Sequence, residues 1–298
     1  MATVYLFDGT QSGTADGSYS DPYDLSNVSS ADTAAGVGGT VIFKDGNYTM
    51  NADLTLGSVD NVNYQGESKN GVTITSSVQG NQGYQLKLGA GNYKSFTVSN
   101  LKFVDTGASN QRGGVLVMTA SNERITIKEC TFLNLWARFG CVFGRYELIA
   151  NFPAGTPAES TLTVQNCVIE LADSASTVAG DNPRLHRLRD GATAQGTFIG
   201  NTIYQKGIIA HLFKTDSTQH TIKNNIFVAD TSTPICNNSL NNLPQTESNN
   251  LFYNWSDSVL VADSSKNRLV ADPVFVDSTN SDYRLRPSSP CIGAGTSS

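Results

Sequence analysis

Charge is scarce in this 298-residue chain: Asp, Glu, Lys and Arg make up 15% of it, and the formal net charge is −6. A nucleic-acid partner needs a concentrated basic footprint and an anionic membrane a basic face, and so acidic a balance disfavours both. Long apolar runs are missing too; none approaches the roughly 18 residues of a membrane span. The opening Met1-Ala2-Thr3-Val4-Tyr5-Leu6-Phe7-Asp8 has neither a charged n-region nor an apolar h-region, so no signal peptide is read there. The five cysteines (130, 141, 167, 236, 291) form no Cys-x-x-Cys pair, which argues against structural zinc. A Gly-rich phosphate loop, a His-Glu-x-x-His stretch and a nucleophile elbow are all absent. Lys, Glu and Leu are too few for a helical bundle.

What is abundant is Gly (27 residues), with Ser, Thr, Asn and β-formers, a composition that fits an all-β protein with many tight corners. From Asn100 to Phe252 one short phrase recurs six times: Asn100-Leu101-Lys102-Phe103, Cys130-Thr131-Phe132, Cys167-Val168-Ile169, Asn201-Thr202-Ile203, Asn225-Ile226-Phe227 and Asn250-Leu251-Phe252. Several copies follow a β run, such as Ile125-Thr126-Ile127 or Leu162-Thr163-Val164. A spacing of roughly 24–37 residues without helical periodicity points to stacked coils of one supersecondary unit. Such a core grows along one axis, so the length needs no second domain. Under stacking, Cys130 and Cys167 fall about 4.8 Å apart in neighbouring coils. They are read as buried small hydrophobes rather than a disulfide, because side chains pointing in parallel suit the S–S torsion poorly. Inward Asn201, Asn225 and Asn250 are read as a ladder that satisfies corner backbone groups.

The ends read differently. Residues 1–37 give a strand at Val4-Tyr5-Leu6-Phe7, a polar loop, and a helix through Leu25, Val28 and Ala31 to Ala35 with Asp24 as N-cap, covering the open end of the stack. Residues 38–256 are the coils. Residues 257–298 read as a C-terminal closing segment of the same continuous domain, with Leu285 and Ile292 packing on the last coil. Asp277, Asn280 and Asp282 there could chelate a cation, but read better as a solvated loop.

The short helix, then Gly38-Gly39-Thr40-Val41-Ile42-Phe43-Lys44-Asp45-Gly46-Asn47-Tyr48, then the Asn-led repeats, resembles the right-handed parallel β-helix proteins. That superfamily includes pectate-lyase-like enzymes, alginate lyases, chondroitinase B and phage tailspikes. The expected fold is therefore all-β, a right-handed parallel β-helix with a short N-terminal capping helix. Leu188-Arg189-Asp190-Gly191 before Phe198-Ile199-Gly200-Asn201 looks like the arginine-bearing coil of alginate lyases and chondroitinase B, which would make Arg189 the catalytic arginine.

Chemistry is densest at Arg184-Leu185-His186-Arg187-Leu188-Arg189-Asp190, with His211 and Lys214 one to two coils on. In a β-helix such segments lie side by side and could line a groove for an anionic sugar chain. Arginine neutralises a carboxylate by a bidentate bond, and a base must then take the proton beside it. If the protein is a lyase, Arg187, Arg189, His211 and Lys214 are the catalytic candidates; Arg145, Tyr146, Arg184 and His186 join Arg187, Arg189 and Lys214 as contacts for a glycan or partner. The same cations could equally form surface ion networks. No motif calls for a metal or cofactor, calcium included. Two functions stay open. One is a phage virion protein of tailspike, fibre or capsid-decoration type, a homotrimer among other virion proteins. The other is an extracellular polysaccharide lyase or hydrolase acting on an acidic glycan such as alginate or pectate. The absent signal peptide and the lack of lysine from Thr161 through Gly180 favour the first.

Overall fold

The computed structural model describes residues 2–10, 13–50, 54–76, 84–88, 95–106, 113–115, 124–135, 161–171, 184–187, 195–206, 211–214, 220–230, 245–254 and 267–296. The chain winds as a right-handed parallel β-helix with three faces. The first face has ten strands, from Tyr23–Asp24 and Thr3–Phe7 through Arg124–Lys128 and Thr161–Gln165 to Gln245–Ser248. The second has nine, from Gly46–Met50 through Val168–Leu171 and Thr202–Gln205 to Leu269–Val270, so the stack reaches residue 270. The third carries Leu54–Leu56, Tyr84–Leu88 and Gly113–Val115, then Arg184–Arg187 beside His211–Lys214. Among the described strands every pairing is parallel but one, the C-terminal hairpin of Phe275–Asp277 with Asp282–Leu285. No helix among the described residues is long and apolar enough to cross a membrane.

Strands of this kind form because apolar and polar residues alternate with period two. In Arg124–Lys128, Ile125 and Ile127 are buried while Arg124 and Lys128 are exposed. The outward places of the first face hold a threonine ladder in register, Thr97, Thr126, Thr163, Thr197, Thr221 and Thr246, where β-branched side chains suit a pleated, half-exposed surface. Inside the stack, Phe103 lies on Phe132 with ring centroids 5.1 Å apart, and Phe227 on Phe252 at 5.0 Å. One apolar cluster runs from Val4 to Phe252.

The corner between first and second faces is short and repetitive, and it explains the repeated phrase. Six successive corners each have one residue in the left-handed region, at Asn100, Glu129, Asn166, Gly200, Asn224 and Asn249. Asn tolerates that backbone well and Gly costs nothing there. The residue that follows points inward, giving one column of Val72, Leu101, Cys130, Cys167, Asn201, Asn225, Asn250 and Arg268. The first copy is thus shifted by one from the sequence reading: Asn100 makes the corner and Leu101 fills the column.

The ladder itself is as expected. Asn225 Oδ1 accepts from the Asn201 backbone N–H at 2.9 Å and from Asn201 Nδ2 at 3.0 Å, while Asn225 Nδ2 donates to Phe198 O at 2.9 Å and to Asn250 Oδ1 at 3.1 Å. Cys130 and Cys167 are buried free thiols in the same column. Their Sγ atoms reach Val98 O and Ile127 O at 3.7 Å, weakly filling the role of the Asn amide one coil later, which reaches Val164 O at 2.8 Å.

The two ends of the core close by polar groups. At the N-terminal end Asp24 caps a 3-10 turn, Leu25–Asn27, that runs into the helix Val28–Ala35. Asp32 on that helix is fully buried and accepts from Ser58 N at 3.0 Å, Ser58 Oγ at 2.6 Å and Tyr64 Oη at 2.7 Å, pinning the helix to the first coils. Burial, then the Asp32 charge, pushes the Tyr64 phenol far above its usual range. At the other end Arg268 Nε lies 2.6 Å from Glu247 Oε1 and Nη2 lies 2.7 Å from Oε2, a buried bidentate pair over the Phe252 ring.

The last segment corrects the expectation that it seals the final coil through Leu285 and Ile292. Ile292 is 57% exposed. The hairpin instead folds back along the outside of the second face, where Tyr283 packs on Tyr204 at 4.9 Å and Phe275 packs on Tyr283 at 5.4 Å. The tail beyond it is tied to the corners: Asn224 exchanges two hydrogen bonds with Thr296, and Asn249 donates to Ala294 O. The physical reason is the outward column Tyr204, Val228, Tyr253, an apolar stripe that needs covering more than the core end does, once Glu247 and Arg268 have closed it.

Candidate functional site

Most of the variation in coil length falls on one side of the solenoid. First-face and second-face strands are separated by two residues in coil after coil, as in Arg124–Lys128 to Thr131–Leu135 and Thr161–Gln165 to Val168–Leu171. Apart from residues 67–71, between Asn63–Gly66 and Val72–Ser76, chain length varies between a second-face strand and the next first-face strand, the stretch that contains the third face. Loops set on a rigid scaffold are where binding and catalytic groups concentrate.

On the third face the register brings the sequence candidates together. Arg184 pairs with His211, His186 with Phe213, and Arg187 with Lys214. Paired positions in a parallel sheet lie about 4.8 Å apart. Positions 184 and 187 are an odd number of residues apart, so in a regular strand the two cation pairs belong to opposite faces. Arg145, Tyr146 and Arg189 lie outside the described residues.

The C-terminal carboxylates named as chelator candidates are otherwise engaged. Asp277 accepts from Asn280 N at 3.3 Å and Nδ2 at 2.7 Å, closing a 3-10 turn. Asp282 pairs with Arg284 at 2.6 Å, and that guanidinium holds the carboxyl below its usual range. Among the described residues no group of three or more His, Cys, Asp or Glu stands close enough to hold a metal ion.

A second polar centre was not legible in the sequence. Glu170 lies at an outward place of the second face, yet the C-terminal hairpin covers it completely. Its Oε1 is 2.8 Å from Lys206 Nζ, and its Oε2 accepts from Tyr283 Oη at 2.5 Å and from Ser281 Oγ. Burial pushes the carboxyl pKa up, but the hydrogen bonds from Lys206, Ser281 and Tyr283 together outweigh it and leave the group below its ordinary value. This carboxylate is a structural latch for the hairpin, since each of its partners is a donor already in place. With the folded pKa lowered, its contribution is complete above the unfolded value of about 4.3. It is then lost as pH falls through the folded one. Glu170→Gln is expected to cost about 2 kcal/mol at neutral pH and to abolish the acid-dependent part of hairpin release. Urea midpoints at neutral and acid pH check this; an acid loss unchanged in the variant would rule out Glu170 as the latch.

Fold and face together define the class: a right-handed parallel β-helix with cations at paired positions on its third face. No protein-family model matches the chain, and no curated protein matches it in sequence. Solved structures do match. One is the crystal structure of pectate lyase Pel9A, 13% identical over 100% of this chain and 92% of that one, with a TM-score of 0.47. Another is a rhamnogalacturonan lyase, 14% identical over 93% of this chain and 91% of that one, with a TM-score of 0.41. At such identity neither speaks to chemistry, and neither the fold nor these matches lends support to a virion role.

Proposed function

We propose that the protein is a polysaccharide lyase acting on an acidic glycan of the alginate or pectate kind, bound along the third face. The observation that carries this reading is the register that sets Arg184 beside His211. Eliminative cleavage needs two things close together: a cation on the uronate carboxylate, which acidifies the neighbouring C–H, and a base to take that proton. The electrons of the broken C–H bond then form the ring double bond as the glycosidic C–O bond breaks, and the leaving oxygen takes up a proton. An arginine next to an imidazole supplies both parts, and imidazole is the side chain that ionises nearest neutrality. In this reading His211 is the base, Arg184 neutralises the reacting carboxylate, and Arg189 holds a neighbouring uronate. Cations gathered at one place on a net-negative chain also steer an anionic polymer to that face. A polymer of this kind is met outside the cell, which carries an extracellular location with it.

The test is ultraviolet absorbance of unsaturated product from alginate, polygalacturonate and chondroitin. Turnover is expected on one of them, falling about 100-fold in His211→Ala, with Arg189→Ala mainly raising KM. No product from any of the three polymers, or His211→Ala turning over like the parent, contradicts the reading.

A further inference from the structure

We propose that the cleft between the C-terminal hairpin and the second face is a binding site for a single neutral pyranose ring, separate from the third face. Its volume is about 270 Å³, just under the roughly 300–1,000 Å³ of pockets for drug-sized ligands, so it suits one ring rather than a chain. The walls combine Tyr204, Tyr253 and Phe275 with Asp230, Asp272 and Asn254. Aromatic faces match the C–H faces of a sugar ring, while carboxylates and an amide bond its hydroxyls. The lining carries two acids, Asp230 and Asp272, against one cation, Arg286, whose guanidinium donates to the Phe275 and Val276 carbonyls; this net-negative lining disfavours a uronate and sets the site apart from the basic third face.

The site is built in advance. Tyr204 is held between neighbours by Tyr283 and Phe275, whereas Tyr253, half-buried in the wall, has no ring partner among the described residues. Asp272 Oδ1 accepts from Val274 N at 2.8 Å, which fixes the carboxylate, and Asn254 Nδ2 donates to Ala229 O at 3.1 Å, which fixes the amide. Val274, also in the lining, has φ 54, a left-handed backbone that a β-branched residue adopts only under strain. Such strain is held where surrounding contacts over-determine it, and it clusters at ligand clamps.

The experiment is saturation-transfer NMR on the whole protein with methyl glycosides of glucose, galactose, mannose and xylose, and with methyl glucuronide and galacturonide. Transfer to the C–H protons of at least one neutral glycoside is expected, weakened about tenfold or more in Tyr253→Ala and retained in Tyr253→Phe, which keeps the ring. Melting profiles of both variants check folding. A silent neutral panel, a preference for the uronides, or equal transfer in Tyr253→Ala overturns the proposal. Tyr253→Ala leaves any turnover of acidic polymer unchanged, so this site and the third face are separable.

Discussion

Asn225→Ala is expected to destabilise the protein by about 4 kcal/mol, with an unchanged fold in its remaining coils. Asn225 sits mid-ladder, so its loss acts on both neighbours. The Asn201 N–H loses its acceptor, Asn201 Nδ2 and Asn250 Oδ1 each lose a bond, and the donor to Phe198 O goes. A buried donor left without an acceptor costs about 1–3 kcal/mol, more than an average hydrogen bond contributes. Cys130→Ala is the contrast. Its thiol makes only weak bonds at 3.4 and 3.7 Å, so about 1 kcal/mol is expected, mostly from the small void. Urea unfolding measures both. Equal losses for the two variants would mean that the column is held by packing alone.

Arg268→Met should cost about 4 kcal/mol, because the buried Glu247 carboxylate then loses its bidentate cationic partner at the end of the core. Coulomb attraction between the two is not the point, since desolvation offsets most of it. The double variant Arg268→Met with Glu247→Leu should recover most of the loss, as replacing a buried pair by apolar groups commonly does. Because a solenoid couples mainly nearest neighbours, the single variant should loosen the last coils first. Amide exchange should rise at 245–254 and 267–270 while 40–76 keeps its protection. A double variant no better than the single one would show that the pair does more than close the core.

Much of this architecture can be read from the residues, because the corner is chemically demanding. A left-handed residue followed by an inward polar one leaves a visible mark, plainest in the doublets Asn224-Asn225 and Asn249-Asn250, where each Asn has one task. The first copy misleads because Asn100 does the corner task and resembles the ladder task; the apolar Leu101 behind it is the signal of the shift. The capping helix is legible for the same kind of reason, since Asp24 and the run to Ala35 are local. The hairpin's return to Glu170 is not, because it joins residues 111 and 113 positions apart with no periodic pattern between them. Glu247 and Arg268 look like ordinary surface charges until the register sets Glu247 in line with Ile222, inside the stack. The pairing of 184–187 with 211–214 is anticipated by the coil spacing. The division of those cations between two faces follows from the odd spacing of 184 and 187 once that stretch is known to be one strand.

The measurement that bears most directly on the third face as the working surface is amide exchange with and without a short oligouronate. Protection is predicted at 184–187 and 211–214, with the threonine-laddered first face and the hairpin-covered second face unchanged. Protection confined to either of those two faces, or none anywhere at saturating ligand, would contradict the account.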